Sequence, residues 1–160
     1  MSWINLIGKA PVHPLLFYSG KFAGYITWTI LWLAWLEVPT IKIFSYTATE
    51  YAAYTTFLAG SLLISISLIN LGKSTRFGLP IEDTNLKTNG LYGRSRNPMY
   101  LGFYLWTFSA MVYTMNLWIL VLGIYTIFTY HRIILGEESF LEGRFGKRYA
   151  EYKHKVPRYL

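Results

Sequence analysis

Three uncharged, apolar stretches separated by polar segments run along this chain. They extend from Phe22 to Leu36, from Tyr51 to Gly72 and from Asn97 to His131. The third has 35 residues without Asp, Glu, Lys or Arg, and as one helix it would be about 52 Å long, at about 1.5 Å per residue. A bilayer core is only about 30 Å thick. The pattern therefore predicts a helical hairpin with its turn at residues 114–116.

The predicted fold is all-α, with about four transmembrane helices, of which the last two form the tight hairpin. The expected spans are about 19–37, 51–72, 98–113 and 117–134. Residues 73–97 form a polar segment between the second and third spans. This segment contains Pro80, Asn89 and Gly90, which break helices, and is predicted to be a loop on one membrane face.

The tail, residues 136–160, is charged but periodic. Its apolar residues recur every three or four positions, at Leu141, Phe145, Tyr149, Tyr152 and Val156. One apolar stripe opposite basic side chains is typical of an amphipathic helix. We expect a cytoplasmic helix that lies on the membrane face or caps the bundle.

Composition supports a single integral membrane domain over residues 1–160. The chain is 53% hydrophobic and 14% charged, against about 25% charged residues in soluble domains. Of its 15 Lys and Arg, 14 would lie on one side of the predicted spans and only Lys42 on the other. The positive-inside rule makes that side cytoplasmic, with both termini. The net charge of +7 therefore indicates membrane topology and not a nucleic-acid partner.

Candidate chemistry gathers at the cytoplasmic ends of the spans. Glu137 and Glu138 directly follow the last span on an otherwise basic face, so we expect a positive partner for them, either Arg96, Arg132 or a ligand. The chain has no cysteine, which excludes disulfides, thiolate metal sites and a Cys nucleophile. No Walker or dinucleotide motif is present, and the three scattered histidines give no reason to expect a metal.

Two blocks of sequence carry a family resemblance. The first is Asn85-Leu-Lys-Thr-Asn-Gly-Leu-Tyr-Gly-Arg-Ser-Arg-Asn-Pro-Met-Tyr-Leu-Gly102, and the second, after the hairpin, is Glu137-Glu138-x-x-Leu141-x-x-x-Phe145-Gly146-x-x-Tyr149-x-x-Tyr152-x-x-x-Val156. Together they resemble the isoprenylcysteine carboxyl methyltransferase family and its phospholipid-methyltransferase relatives. The resemblance implies an integral membrane enzyme that transfers a methyl group from S-adenosylmethionine to a lipophilic small molecule or lipidated acceptor.

The resemblance also implies a set of site residues. Loop and tail would enclose the cofactor through Asn85, Leu86, Gly90, Tyr92, Arg96, Asn97, Pro98, Tyr100, Glu137 and Glu138. Arg132 is the candidate for orienting the acceptor, and Arg132 and Glu138 are the expected catalytic residues. Eukaryotic members have His at the positions of Asn85 and Asn97, so the chain looks more like prokaryotic members, which implies a prokaryotic inner or plasma membrane.

The implied reaction divides by acceptor. A carboxylate or thiolate acceptor needs only a positive group such as Arg132, whereas an amine must lose a proton, which Glu137 or Glu138 could accept. Two alternatives stay open. Membrane sterol reductases share a similar Arg-x-Pro-x-Tyr pattern and use NADPH, and a non-catalytic membrane scaffold could keep the fold without activity.

Overall fold

The described part of the chain is entirely helical in its regular structure. The computed structural model describes residues 9–38, 42–44, 46–72 and 85–160, and none of them belongs to a β-strand. The helices are α1 (Pro14–Trp35), α2 (Thr47–Leu71), α3 (Pro98–Thr114), α4 (Leu117–Phe145) and α5 (Lys147–Lys155), with a short 3-10 helix at Gly90–Gly93. The predicted all-α class is confirmed.

Two of these helices, α2 and α4, are long and apolar enough to cross a membrane. The predicted number of four spans, and the side on which the termini lie, stay predictions. Residues 73–84, the first part of the predicted loop, lie outside the described residues.

The helical hairpin is present where the sequence predicts it. Pro98 opens α3 in its first turn, where its missing N–H costs no hydrogen bond. Met115 adopts a left-handed conformation with φ of 46°, and the side chain of Asn116 caps α4 by accepting a hydrogen bond of 2.9 Å from the backbone N–H of Trp118. The chain therefore reverses within two residues.

Helices α2 and α3 approach each other closely at a pair of glycines. A Cβ atom on Gly60 would lie 2.8 Å from the carbonyl oxygen of Gly102, and one on Gly102 would lie 2.7 Å from that of Gly60. Small residues of this kind let membrane helices pack backbone to backbone. Helix α1 packs on α4 in a similar way, since a Cβ atom on Gly20 would collide with the side chain of Thr129.

A separate C-terminal helix is present as α5, but the prediction that the tail helix begins at residue 136 is wrong. Helix α4 continues without interruption to Phe145 and ends at Gly146, which has φ of 50°, a conformation that strongly favours glycine. Its 29 residues measure about 43 Å at about 1.5 Å per residue. This length exceeds the thickness of a bilayer core, about 30 Å, and Glu137, Glu138 and Glu142 all lie in the last third of the helix.

The predicted apolar stripe of the tail is buried. Tyr149, Tyr152 and Val156 form a cluster that packs against Leu86, Leu141 and Phe145. Leu86 belongs to the loop before α3, so the tail packs on the loop and on the end of α4. This packing brings the two sequence blocks together.

Candidate functional site

The carboxylate of Glu138 is the meeting point of the two blocks. Arg96 donates to it from Nε at 3.1 Å and from Nη2 at 3.3 Å, and Asn97 donates from Nδ2 at 3.1 Å. Arg158 adds two more hydrogen bonds, from Nε at 3.1 Å and Nη2 at 2.9 Å. We refer to Glu138, Arg96, Asn97 and Arg158 as the Glu138 cluster.

The local fold explains why these side chains converge. Asn97 is the N-cap residue of α3, so Arg96 and Asn97 lie at the start of that helix, beside the extension of α4 that carries Glu138. Glu138 is only 5% exposed. Of the partners expected for the acidic pair, namely Arg96, Arg132 or a ligand, Arg96 is therefore confirmed for Glu138.

Arg96 also fixes the chain after α5. Its Nη1 donates to the carbonyl oxygens of Lys153 at 3.1 Å and Val156 at 2.7 Å, and its backbone N–H donates to the carbonyl of Pro157 at 2.9 Å. The Arg96 side chain is 7% exposed. A guanidinium this buried needs such partners because an isolated charge is costly to desolvate.

Sequence reasoning missed Arg158. Its backbone carbonyl accepts hydrogen bonds from Ser95 Oγ and Asn97 Nδ2, both at 3.3 Å, so main chain and side chain both join the cluster. The available signal was its position shortly after the periodic tail, next to Pro157, which cannot continue a helix.

The electrostatics keep Glu138 ionised. Burial by itself would raise the pKa of this carboxyl, but the hydrogen bonds and positive charges of Arg158 and Arg96 lower the pKa below its ordinary value. A carboxylate that accepts several charge-assisted hydrogen bonds is a poor proton acceptor near neutral pH.

Glu137 has a different environment from its neighbour. The Tyr100 hydroxyl donates to Glu137 Oε1 at 2.8 Å. Burial raises the pKa of Glu137 to about 7, although the Tyr100 hydrogen bond and the positive charge of Lys21 act to lower it. The two adjacent acids therefore differ in their pKa: Glu138 stays charged, and Glu137 titrates near neutral pH.

The 3-10 helix before Arg96 is held from two sides. The Asn70 side chain, near the end of α2, accepts a hydrogen bond of 2.8 Å from the backbone N–H of Leu91. The hydroxyl of Tyr152 in α5 donates to the carbonyl of Tyr92 at 2.6 Å. Gly90 has φ of 64°, and its lack of a side chain allows the close approach of Asn70, because a Cβ atom would lie 1.7 Å from Asn70 Oδ1.

The remaining predicted site residues differ in how deeply they are buried. Pro98 is buried at the start of α3, and Leu86 packs against the tail, whereas Asn85 and Arg132 are exposed. His131, next to Arg132, contacts the tail through a hydrogen bond of 2.7 Å between its Nδ1 and the Tyr159 hydroxyl. The roles predicted for all these residues stay predictions.

Comparison with known proteins identifies the family. The family model described as phospholipid methyltransferase matches residues 48–148, from the start of α2 into α5. This match covers more than half of the chain and includes the loop, the hairpin and both acids. The chain belongs to the phospholipid methyltransferase family.

Curated relatives of this family member carry a consistent name. The protein-S-isoprenylcysteine O-methyltransferase of Dictyostelium discoideum is 30% identical over 148 residues, which are 89% of this chain and 61% of that protein. The Saccharomyces cerevisiae protein of the same name is 32% identical over 130 residues, 74% of this chain and 53% of that protein. The human one is 26% identical over 149 residues, 91% and 51%.

The chain thus spans between about half and 61% of the length of these relatives. The family resemblance predicted from the two sequence blocks is confirmed. The assignment to a prokaryotic branch stays a prediction.

Proposed function

We propose that this chain transfers the methyl group of S-adenosylmethionine to the carboxylate of a lipophilic acceptor at the cytoplasmic face of a membrane. The observation that carries the proposal is the meeting of the two family blocks at Glu138, where Arg96 and Asn97 from the first block bind an acid of the second. The family match and the shared name of the relatives support the same activity.

The charges of the region fit the proposed cofactor. S-adenosylmethionine carries a carboxylate, an ammonium group and a sulfonium, so its site needs cationic donors together with anionic or carbonyl acceptors. The Arg158 side chain is 33% exposed and donates to Glu138 from Nε and Nη2. Because a guanidinium has five N–H donors, Arg158 can also donate to the carboxylate of the cofactor. Glu137 supplies a carboxylate. When bound, the cofactor would supply an electrophilic methyl group.

The residues proposed to hold the cofactor are those of the loop and the extension of α4. They are Asn85, Leu86, Gly90, Tyr92, Arg96, Asn97, Pro98, Tyr100, Glu137 and Glu138, to which we add Arg158. We propose that Glu138 acts by positioning Arg96, Asn97 and Arg158, because its oxygens accept hydrogen bonds from all three. Glu138 is then not the proton acceptor of the reaction.

A carboxylate acceptor fits this division of roles. Its oxygen already bears a lone pair and a negative charge, so no proton has to be removed, and the protein needs chiefly to align donor and acceptor and to exclude water. The relatives are named for O-methylation of isoprenylcysteine. We therefore propose an S-prenylated cysteine or a similar lipid acid as the acceptor.

The membrane arrangement completes the proposal. Helices α1 and α3 have 22 and 17 residues, or about 33 and 26 Å at about 1.5 Å per residue. These lengths are close to the bilayer core of about 30 Å. We propose four spans with both termini cytoplasmic, which places the Glu138 cluster at the cytoplasmic surface.

Two binding measurements test the function. Titration calorimetry of the detergent-purified protein should show binding of S-adenosylmethionine and not of NADPH, and transfer of a labelled methyl group to an S-prenylated cysteine should follow. Arg96→Ala should weaken cofactor binding, whereas Lys155→Met, on the exposed face of α5, should leave it unchanged. Binding of NADPH alone would refute the methyltransferase proposal in favour of a reductase, and binding of neither would favour a scaffold.

A further inference from the structure

Helix α1 contains one charged residue, Lys21. One turn before it lies Phe17, which is 2% exposed, and the Lys21 ammonium is 4.3 Å from the centre of the Phe17 ring. One turn after it lies Gly24, where an added Cβ atom would lie 3.0 Å from the Tyr130 hydroxyl of α4. Because residues three and four apart share a helix face, Lys21 lies on the face of α1 that packs against α4.

Tyr130, which Gly24 of α1 approaches, and Glu137 are two turns apart in α4 and therefore share its α1-facing side. The positive charge of Lys21 acts on the Glu137 carboxyl. Glu137 accepts the 2.8 Å hydrogen bond from Tyr100, so side chains of α1, α3 and α4 converge. Glu138, the next residue, contacts Arg96 and Asn97. Lys21 therefore approaches the proposed cofactor region from the side of the helical bundle.

The other cations of this region have different surroundings. Arg96 and Arg158 both donate to Glu138. Arg132 is exposed, and the described part of the chain offers it no hydrogen bond or ion pair. An ionisable group placed between apolar helices is costly and in membrane proteins typically serves a substrate or ion.

Exposed apolar side chains adjoin Lys21 on α1. Tyr18 lies three residues before it and Tyr25 four residues after it, and they are 56% and 50% exposed; Phe22, the next residue, is 66% exposed. Apolar side chains on the outside of a membrane helix can contact the hydrocarbon chain of a lipid. A molecule with a carboxylate at one end and a hydrocarbon chain at the other matches the pairing of Lys21 with these side chains.

We propose that Lys21 binds the carboxylate of the acceptor and thereby makes the site selective for anionic lipids. This inference rests on the proposed function. An ammonium group combines a positive charge with three N–H donors, the chemistry that binds a carboxylate. In the reaction an acceptor oxygen forms the new O–CH₃ bond, the C–S bond breaks with its electron pair left on sulfur, and no proton moves.

The test measures acceptor binding apart from turnover. An S-prenylated cysteine derivative and its uncharged amide are titrated into the detergent-purified protein, with and without S-adenosylmethionine. The wild type should bind the carboxylate at least roughly tenfold more tightly than the amide. Lys21→Met should remove that preference, and Lys21→Arg should retain most of it. Lys155→Met is the matched control and should behave as the wild type does.

Turnover then separates the two proposals. In Lys21→Met the KM for the acceptor should rise about tenfold, while the Kd for S-adenosylmethionine stays within about twofold, which also shows that the variant is folded. A wild type without preference for the carboxylate would overturn the role of Lys21, as would loss of the preference in Arg132→Met but not in Lys21→Met. If the wild type shows the preference without methyl transfer, the proposed function fails and the role of Lys21 in binding stands.

Discussion

Replacing Glu138 with glutamine should destabilise this protein more than the same change elsewhere in α4. The substitution keeps the size of the side chain but removes the charge that Arg96, Asn97 and Arg158 contact. Arg96 is 7% exposed, so its guanidinium would stay buried without a counter-charge. Removing one partner of a buried ion pair costs about 3–5 kcal/mol. The half-buried Arg158 can be hydrated instead, so we expect a loss near the lower limit, about 3 kcal/mol.

Thermal unfolding of the detergent-purified protein, followed by helical circular dichroism, measures this loss. For a chain of this size, about 3 kcal/mol corresponds to a decrease in Tm of about 6–12 °C. The matched control is Glu142→Gln, one turn further along α4. The Glu142 side chain is 49% exposed and pairs at 3.0 Å with Lys153, which is 42% exposed, so this ion pair should contribute less than about 1 kcal/mol.

A double variant separates the charge effect from general disruption. If the cost of Glu138→Gln comes from leaving Arg96 buried without a counter-charge, it should be clearly smaller in a protein that already carries Arg96→Met. Equal Tm values for Glu138→Gln and Glu142→Gln would refute this reasoning. Strict additivity of the Arg96 and Glu138 substitutions would show that the two side chains do not depend on each other.

Two further predictions concern the residues around the cluster. Gly90→Ala should weaken cofactor binding in calorimetry, because at a φ of 64° the new Cβ atom would lie 1.7 Å from Asn70 Oδ1. The control is Gly146→Ala, which has a φ of 50° but no atom within 4 Å of its Cβ. It should show the backbone strain alone and bind the cofactor normally. The KM for a carboxylate acceptor should rise as the pH increases through about 7. Glu137 ionises there, and its negative charge then repels the acceptor carboxylate that Lys21 is proposed to hold. Glu137→Gln should abolish this step in the pH profile, and a step that persists in the variant would exclude Glu137 as its source.

Local signals in the sequence were sufficient for most of the helical architecture. The hairpin followed from the length of the uncharged stretch, since a helix of 35 residues exceeds the bilayer, and the observed turn at Met115 and Asn116 lies within the predicted residues 114–116. The apolar stripe of the tail predicted the buried positions Tyr149, Tyr152 and Val156. The sequence pattern did not predict how far α4 continues. Glu137 and Glu138 are predicted to follow the end of the last span, but the helix continues through them to Phe145.

The sequence by itself determined the family and most of the residues at its proposed site, since motifs with fixed spacing are local along the chain. Only the tertiary structure decided how Glu137 and Glu138 differ. Adjacent residues on a helix point in directions about 100° apart, so Glu138 lies against Arg96 and Arg158 while Glu137 lies against Tyr100 and near Lys21. These partners are distant in sequence, and no local pattern specifies which cation each acid meets. Packing of α1, α3 and the tail around α4 makes that assignment.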